Sequence, residues 1–382
     1  MITSIILIAT LVVWIGISVD IFLGLRRIPD LKSFPPYSEG ELVSIIVPAK
    51  NEENSIQESI QSQVSQSYQN IEWILVNDRS TDRTGKIMDA IQETDSRIKV
   101  LHIDSLPSGW LGKNHALYLG AKEANGQLLL FTDGDIHFHE EVIARAVTAL
   151  KTEKVSHVTV TPTLKAEAFW LKAFVGFFLF GFSYYKRPWK ANDSRSSIGI
   201  GIGAFNLITR DAYEQIGTHK RIKNRPDDDL QIGTLIKKHR LEQRIITGLS
   251  YLSVEWYQSL KSALIGLEKN TFAGLHYRLT MVFVSVTGVF LSQVYPFLTL
   301  FSEDMLIFIL SVLNVLLIAF NFVAVTRKMT AFSPYFLFIL PFTALLFIYS
   351  IIRATLLTFI RGGVIWRGTK YSLQDLRKMN EE

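Results

Sequence analysis

The stretch Val43-Ser44-Ile45-Ile46-Val47-Pro48-Ala49-Lys50-Asn51-Glu52-Glu53 decides how the chain is read. A short β-rich run ends in a proline and a polar, acidic turn, the pattern of a buried strand giving way to a loop. Working outward, the same change recurs. Residues 71–76 form a second such run and lead into Asn77-Asp78-Arg79-Ser80-Thr81-Asp82. Residues 98–103 form a third, and 127–131 a fourth that ends in Thr132-Asp133-Gly134-Asp135. Helical stretches beginning near 54 and 82, and covering 113–124, separate them. Strands alternating with helices of this length predict a mostly parallel, doubly wound α/β sheet. Such sheets bind ligands beyond the carboxyl ends of their strands. The three acidic turns are therefore expected to share one edge.

Several readings are excluded. A dehydrogenase needs a glycine-rich turn after its first strand so that a pyrophosphate can approach the backbone. None is present, and Gly199, Gly201 and Gly203 lack that spacing. Gly109-Trp110-Leu111-Gly112-Lys113-Asn114 has too few residues between its glycines for a P-loop. The chain has no cysteine, hence neither a disulfide framework nor a thiolate metal site. A formal net charge of +5, without an arginine-rich run or zinc-finger spacing, gives no nucleic-acid partner. The basic residues flank apolar segments instead, which favours anionic lipid headgroups.

Ile2–Leu25 is apolar and long enough to cross a hydrocarbon core of about 30 Å. No charge precedes it, while Arg26, Arg27 and Lys32 follow, so it reads as a retained anchor and not a cleaved leader. The positive-inside rule puts the chain from residue 26 in the cytosol. Three further spans are expected at about 279–301, 305–326 and 334–357. Ser302, Glu303 and Asp304 fall outside, and Arg327 and Lys328 inside. Strict alternation would put the 358–382 tail outside, against Arg361, Arg367, Lys370, Arg377 and Lys378. Pro341 and Arg353 leave room for a broken last segment, and the tail is read as cytosolic. The expectation is a multi-pass cell-membrane protein with a cytosolic catalytic domain at 41–255. Residues 164–185, Phe-rich and edged by Trp170, Tyr184, Tyr185, Lys165, Lys172 and Lys186, suit a helix lying in the headgroup boundary. A buried core helix is the other reading.

Asp133 and Asp135 flank a glycine, and carboxylates so spaced can face one hard divalent cation. Such a cation stabilises the charge that grows on a departing diphosphate. Lys113 follows Gly112 at a predicted helix start, an anion-binding arrangement. Asp227-Asp228-Asp229 opens an apolar-periodic run. Acids there favour the helix dipole, and one of them can also serve as a general base.

In combination, 43–53, 76–82 and 131–135 resemble family 2 glycosyltransferases with the GT-A fold, a likeness running over about 42–250. The resemblance implies that Pro48, Ala49, Glu52 and Asp78 hold the nucleoside, that Asp133 lies near ribose and metal, and that Asp135 ligates Mg2+ or Mn2+. Asp228-Asp229-Leu230-Gln231-Ile232-Gly233 resembles the family's Glu-Asp-x-x-Leu-Gly box. That makes Asp229 the base, with Asp228 beside it, in an inverting transfer. The 199–205 segment, with Gly201 and Gly203, resembles the acceptor side. The segments at 109–117 and 363–371 resemble membrane-bound members acting on carotenoids (diaponeurosporenoate-type) and hopanoids, with ceramide glucosyltransferases more distant. The family's Gln-x-x-Arg-Trp motif is not evident; the segment from Trp256-Tyr257-Gln258 to Asn270 stands in its place, and Trp256 is read as acceptor-side. The expected activity is transfer of one sugar from a UDP-sugar donor to a membrane lipid or isoprenoid acceptor. The alternatives are an envelope-polysaccharide or polyprenyl-phosphate acceptor, or an inactive membrane scaffold.

Overall fold

The structure is a computed structural model that describes residues 1–366 and 369–373. Of the basic tail residues, Arg367, Arg377 and Lys378 lie outside that description. The chain forms two compact units. One comprises Arg26–Lys165 and Lys186–Glu255; the other comprises Met1–Leu25, Ala166–Tyr185 and the chain from Trp256 onward.

The first unit has ten strands: β1 (Val43–Ala49), β2 (Ile71–Asp78), β3 (Ile98–Ile103), β4 (Leu128–Phe131), β5 (His137–Phe138), β6 (His157–Thr161), β7 (Thr163–Lys165), β8 (Asn206–Thr209), β9 (Gln243–Thr247) and β10 (Leu252–Glu255). Seven form one sheet in the order β3-β2-β1-β4-β8-β6-β9, and β5, β10 and β7 form a small second sheet. β1 to β4 run parallel, with Ala49 opposite Asn77 and Ile46 opposite Phe131. Their carboxyl ends, and the three acidic turns, therefore lie along one edge. β8 is antiparallel to both neighbours, which makes the sheet mixed. Of its four residues, between a glycine segment and a helix, only Leu207 and Ile208 are apolar, too few to stand out in the sequence.

Alternation along β1 explains why both faces are covered. Val43, Ile45 and Val47 pack with Ile56, Ile60 and Val142 in one core. Ile46 packs with Ala116, Leu117, Ile208 and Ile236 in another. Each buried aliphatic side chain contributes roughly 1.5–3 kcal/mol, enough to hold the strand ends, and the turns on them, in fixed register.

Among the described residues, the second unit contains four helices long and apolar enough to cross a membrane: Ile2–Leu25, Leu279–Phe301, Met305–Met329 and Pro334–Arg361. Ile2–Leu25 is fastened along its length. Asn314 Nδ2 donates to the Leu7 carbonyl at 3.0 Å, and Asn321 Nδ2 to Ser18 Oγ at 2.8 Å. Trp14 Nε1 donates to the Ser292 carbonyl at 3.0 Å, and its buried ring stacks on Phe180 at 6.0 Å. Phe180 belongs to the helix Phe169–Lys186, whose Phe174 and Phe177 are also fully buried while Phe169, Trp170 and Tyr185 at its ends are exposed. The last span begins with a 3₁₀ turn, Pro334–Ile339, before the helix Leu340–Arg361, and Pro341 sits in that helix's first turn. The break is thus at the start, and the helix runs through Arg353. Glu268 anchors Arg353 at 2.6 Å and Arg361 at 3.0 Å.

Candidate active site

The turns after β1 and β2 are locked together by their own polar residues. Asn51 and Arg79 both take left-handed backbone with φ of 55°, a conformation asparagine tolerates better than most residues. The Asn51 N–H donates to Ser80 Oγ at 3.1 Å, and the Thr81 N–H returns to Asn51 Oδ1 at 2.8 Å. The Glu52 N–H donates to Thr84 Oγ1 at 2.8 Å. This fixes Pro48, Ala49 and Glu52 beside the end of β2. A Cβ built on Gly134 would lie 3.4 Å from the Pro48 carbonyl and 3.7 Å from Ala49 Cβ, so the Asp133–Asp135 turn lies against them.

Asp78 is buried and paired through two hydrogen bonds with its neighbour, Arg79 Nε at 2.7 Å and Nη2 at 3.1 Å. Its Oδ2 lies so close to the start of the helix Gly112–Glu123 that a Cβ on Gly112 would sit 2.1 Å away, closer than any side chain could be accommodated. A carboxylate beside a helix N-terminus is electrostatically favoured.

Lys113 joins two of the expected acidic clusters. Its Nζ lies 2.8 Å from Asp133 Oδ1 and 3.4 Å from Asp228 Oδ2. Burial pulls the Lys113 ammonium down, but Asp133, Asp228 and Asp229 outweigh it and hold the group above the ordinary lysine range. Asp228 and Asp229 open the helix Asp228–Lys238. Burial, opposed by Lys113 and reinforced by Asp229 and Asp133, pushes buried Asp228 up to about 7. Asp229 is raised too, by burial against the opposing pull of Lys113.

The glycine segment completes the arrangement. The Gly203 N–H donates to Asp229 Oδ2 at 2.8 Å, and the Leu230 N–H to Asp229 Oδ1 at 2.8 Å. The Asp133 N–H donates to the Gly203 carbonyl at 3.1 Å. A Cβ on Gly203 would lie 2.6 Å from Asp133 Oδ2, so only glycine lets the two carboxylates share this strip of backbone. Gly201 passes directly over the Asp229 carbonyl. Residues absent from the sequence-based expectation hold the segment in place. Gln243 Oε1 accepts from the Ile200 N–H at 2.9 Å while its Nε2 donates to the Gly233 carbonyl at 2.7 Å. Thr159 Oγ1 accepts from the Ile202 N–H at 3.0 Å, and Asn206 Nδ2 donates to the Ile202 carbonyl at 2.8 Å. Each is a polar residue in a short strand that carries other polar residues as well, without a sequence pattern to mark it.

Asp78, Lys113, Asp133, Asp228, Asp229, Gly201 and Gly203 are thus linked along one edge of the sheet, with Pro48, Ala49, Glu52 and Asp135 on the same side. Trp256 belongs to the other unit, where its ring packs on Phe178 at 5.3 Å and Tyr257 at 4.8 Å. Among the described residues, no three His, Asp or Glu side chains converge as a ready-made metal site. The donor set nevertheless fits a hard divalent cation in part. Burial, Asp133 and Glu52 push Asp135 up to about 7, a crowding of negative charge that a cation relieves. Asp133 and Asp135 supply oxygen ligands, and the rest of the coordination falls to the phosphates of a bound ligand.

A mixed α/β sheet with acidic turns on one edge is the GT-A arrangement of nucleotide-sugar transferases. Residues 44–217, a glycosyltransferase domain, match Glycosyl transferase family 2. The 4,4'-diaponeurosporenoate glycosyltransferase of Staphylococcus haemolyticus is 24% identical over 258 residues, which cover 64% of this chain and 65%, just under two-thirds, of that protein. Its counterpart in Staphylococcus aureus is 23% identical over 346 residues, 87% of this chain and 88% of that one. Among solved structures, a mannosyltransferase from Pyrobaculum calidifontis in complex with GDP-Man and Mn2+ superposes with a TM-score of 0.54 at 16% identity, covering 94% of this chain and 99% of that one. That likeness supports the fold.

Proposed function

We propose that the protein transfers one sugar from a nucleotide-sugar, a UDP-sugar in the first instance, to a membrane lipid or isoprenoid acceptor, with inversion at the anomeric carbon. The observation that carries this reading is the single strip of backbone at Gly203 that touches both Asp133 and Asp229. It supports a leaving-group site and a base within one substrate's reach.

Pro48, Ala49, Glu52 and Asp78 line the nucleoside side. Asp133 and Asp135 would hold Mg2+ or Mn2+, which supplies Lewis-acid stabilisation of the departing diphosphate. Lys113 adds a positive charge on the same side. Asp229, held by two backbone N–H groups, accepts the proton of the acceptor hydroxyl as its oxygen attacks the anomeric carbon from the face opposite the diphosphate. The carbon–oxygen bond to the diphosphate breaks in the same step. Its raised proton affinity suits a base working near neutral pH. Asp228 is the charge partner of Lys113 in this scheme.

Four membrane-crossing candidates and exposed aromatic residues at the ends of the helix Phe169–Lys186 support a bilayer-borne acceptor. Gly201 and Gly203 are acceptor-side residues in this scheme. The staphylococcal relatives are named for 4,4'-diaponeurosporenoate. Arg26, Arg27 and Lys32 after the first span support a cytosolic catalytic unit. The test is to incubate membranes bearing the protein with radiolabelled UDP-glucose, UDP-galactose, UDP-GlcNAc and GDP-mannose, and then extract lipid. Label from one donor should enter the lipid fraction, vanish with EDTA and return with Mn2+ or Mg2+. Lipid labelling that matches membranes lacking the protein overturns the reading, and labelling from GDP-mannose alone replaces the donor.

A further inference from the structure

We infer that Lys113 makes divalent-cation binding conditional on the nucleotide diphosphate, so that cation and donor enter the site together; the inference rests on the transfer reading above. Asp133 is one of two carboxylates offered to the cation, and its Oδ1 is already engaged by Lys113 Nζ at 2.8 Å. The same ammonium reaches Asp228 Oδ2 at 3.4 Å. One lysine therefore bridges the two acidic clusters.

The ammonium is held in place by its backbone. Lys113 is the second residue of the helix Gly112–Glu123. The segment is tied down by the Leu111 N–H donating to the Lys223 carbonyl at 2.8 Å, and by Asn114 Nδ2 donating to the carbonyls of Ile222 at 2.6 Å and Arg225 at 2.9 Å. The helix's N-terminal partial charge has the same sign as the ammonium. A divalent cation arriving alone at Asp133 thus meets two repulsive sources and, among the described residues, no three His, Asp or Glu side chains converging to hold it. A nucleotide diphosphate reverses each condition. Its oxygens complete the cation's coordination, and its negative charge gives the ammonium a new partner, releasing Asp133.

The test uses the full chain in detergent, with Mn2+ binding read from the free-ion signal in electron paramagnetic resonance, with UDP, with GDP and with neither. The wild type should bind Mn2+ at least about tenfold more tightly with its cognate nucleotide than without. Lys113→Met keeps the aliphatic stem and removes the charge. It should bind Mn2+ without nucleotide roughly tenfold or more tighter than wild type and lose most of the nucleotide dependence. Lys113→Arg keeps the charge and should behave as wild type, which also separates charge from folding. Nucleotide-free Mn2+ binding by Lys113→Met no tighter than wild type overturns the inference, as does wild-type binding that ignores both nucleotides. Lipid labelling, measured separately, tests the transfer reading; its failure beside nucleotide-dependent Mn2+ binding would sink transfer and leave the role of Lys113 standing.

Discussion

Gly203 and Asp229 are joined by a 2.8 Å hydrogen bond from the glycine amide to Oδ2, and the glycine's carbonyl receives the Asp133 amide on the other side. A methyl group at 203 would press on Asp133 Oδ2 at 2.6 Å and on Asp229 Oδ2 at 3.4 Å. Both are side-chain atoms that can swing away, so the fold should survive Gly203→Ala. The displaced carboxylates should lower kcat by about 10²-fold, the usual cost of misplacing a reacting group by an ångström. Steady-state kinetics beside a circular-dichroism melt checks this; full activity in the variant would mean that the two carboxylates do not act together.

Asp229→Asn keeps the shape and one of the two backbone contacts, because its single amide oxygen can accept from the Leu230 or the Gly203 N–H but not both, while removing the base. Lipid labelling should fall by roughly 10²–10⁴-fold, with nucleotide affinity unchanged in a titration with UDP. Equal loss of nucleotide affinity would move Asp229 to the donor side.

His157 predicts an acid sensitivity. Its ring is fully buried, Nε2 pairs with Asn206 Oδ1 at 3.0 Å, and burial lowers its proton affinity from the usual 6.5 to about 4. Above pH 6.5 the ring is neutral in both folded and unfolded chains and contributes no pH dependence. As pH falls below 6.5 the unfolded chain takes up a proton that the folded ring refuses until about 4. Stability is therefore lost across that window, by up to about 3 kcal/mol. Melting temperatures from about pH 7.5 to about pH 4.5 should fall less steeply for His157→Gln than for wild type. Parallel curves would show that the ring is protonated in the folded protein.

Trp14 tests whether the first helix is structural or merely an anchor. Its indole is 1% exposed, bonds the Ser292 carbonyl and packs on Phe180 and Tyr184. Trp14→Ala should cost about 3–5 kcal/mol and lower the aggregation temperature in detergent, whereas Val12→Ala, on the exposed side, should not. Equal behaviour of the two variants would show that Ile2–Leu25 contributes no packing.

The acidic turns were legible in the sequence because two simple facts suffice: parallel strands end on one edge, and carboxylates there have few bland uses. Asp228 and Asp229 were legible from three consecutive acids at a helix start. What fastens them was not. Gln243, Thr159 and Asn206 bind backbone atoms, and a backbone partner leaves no trace in residue identity. Lys113 could be read as an anion-site lysine from Gly112 and the helix start, but its simultaneous hold on Asp133 and Asp228 depends on how segments far apart in the chain are folded together. β8 was missed because only Leu207 and Ile208 in it are apolar, too few to stand out as the four apolar residues of β4 do.

The bonds from Trp14 to Ser292 and from Asn314 to Leu7 join residues 278 and 307 positions apart. The ribosome adds about 5–20 residues per second, so the first helix spends roughly 15–60 s in the bilayer before its partners exist. Throughout that interval Leu7 and Ser18 lack the asparagines that bond them in the finished chain. A message truncated before codon 305 would leave Leu7 and Ser18 permanently without Asn314 and Asn321, a ready mark for membrane proteases to clear half-made chains.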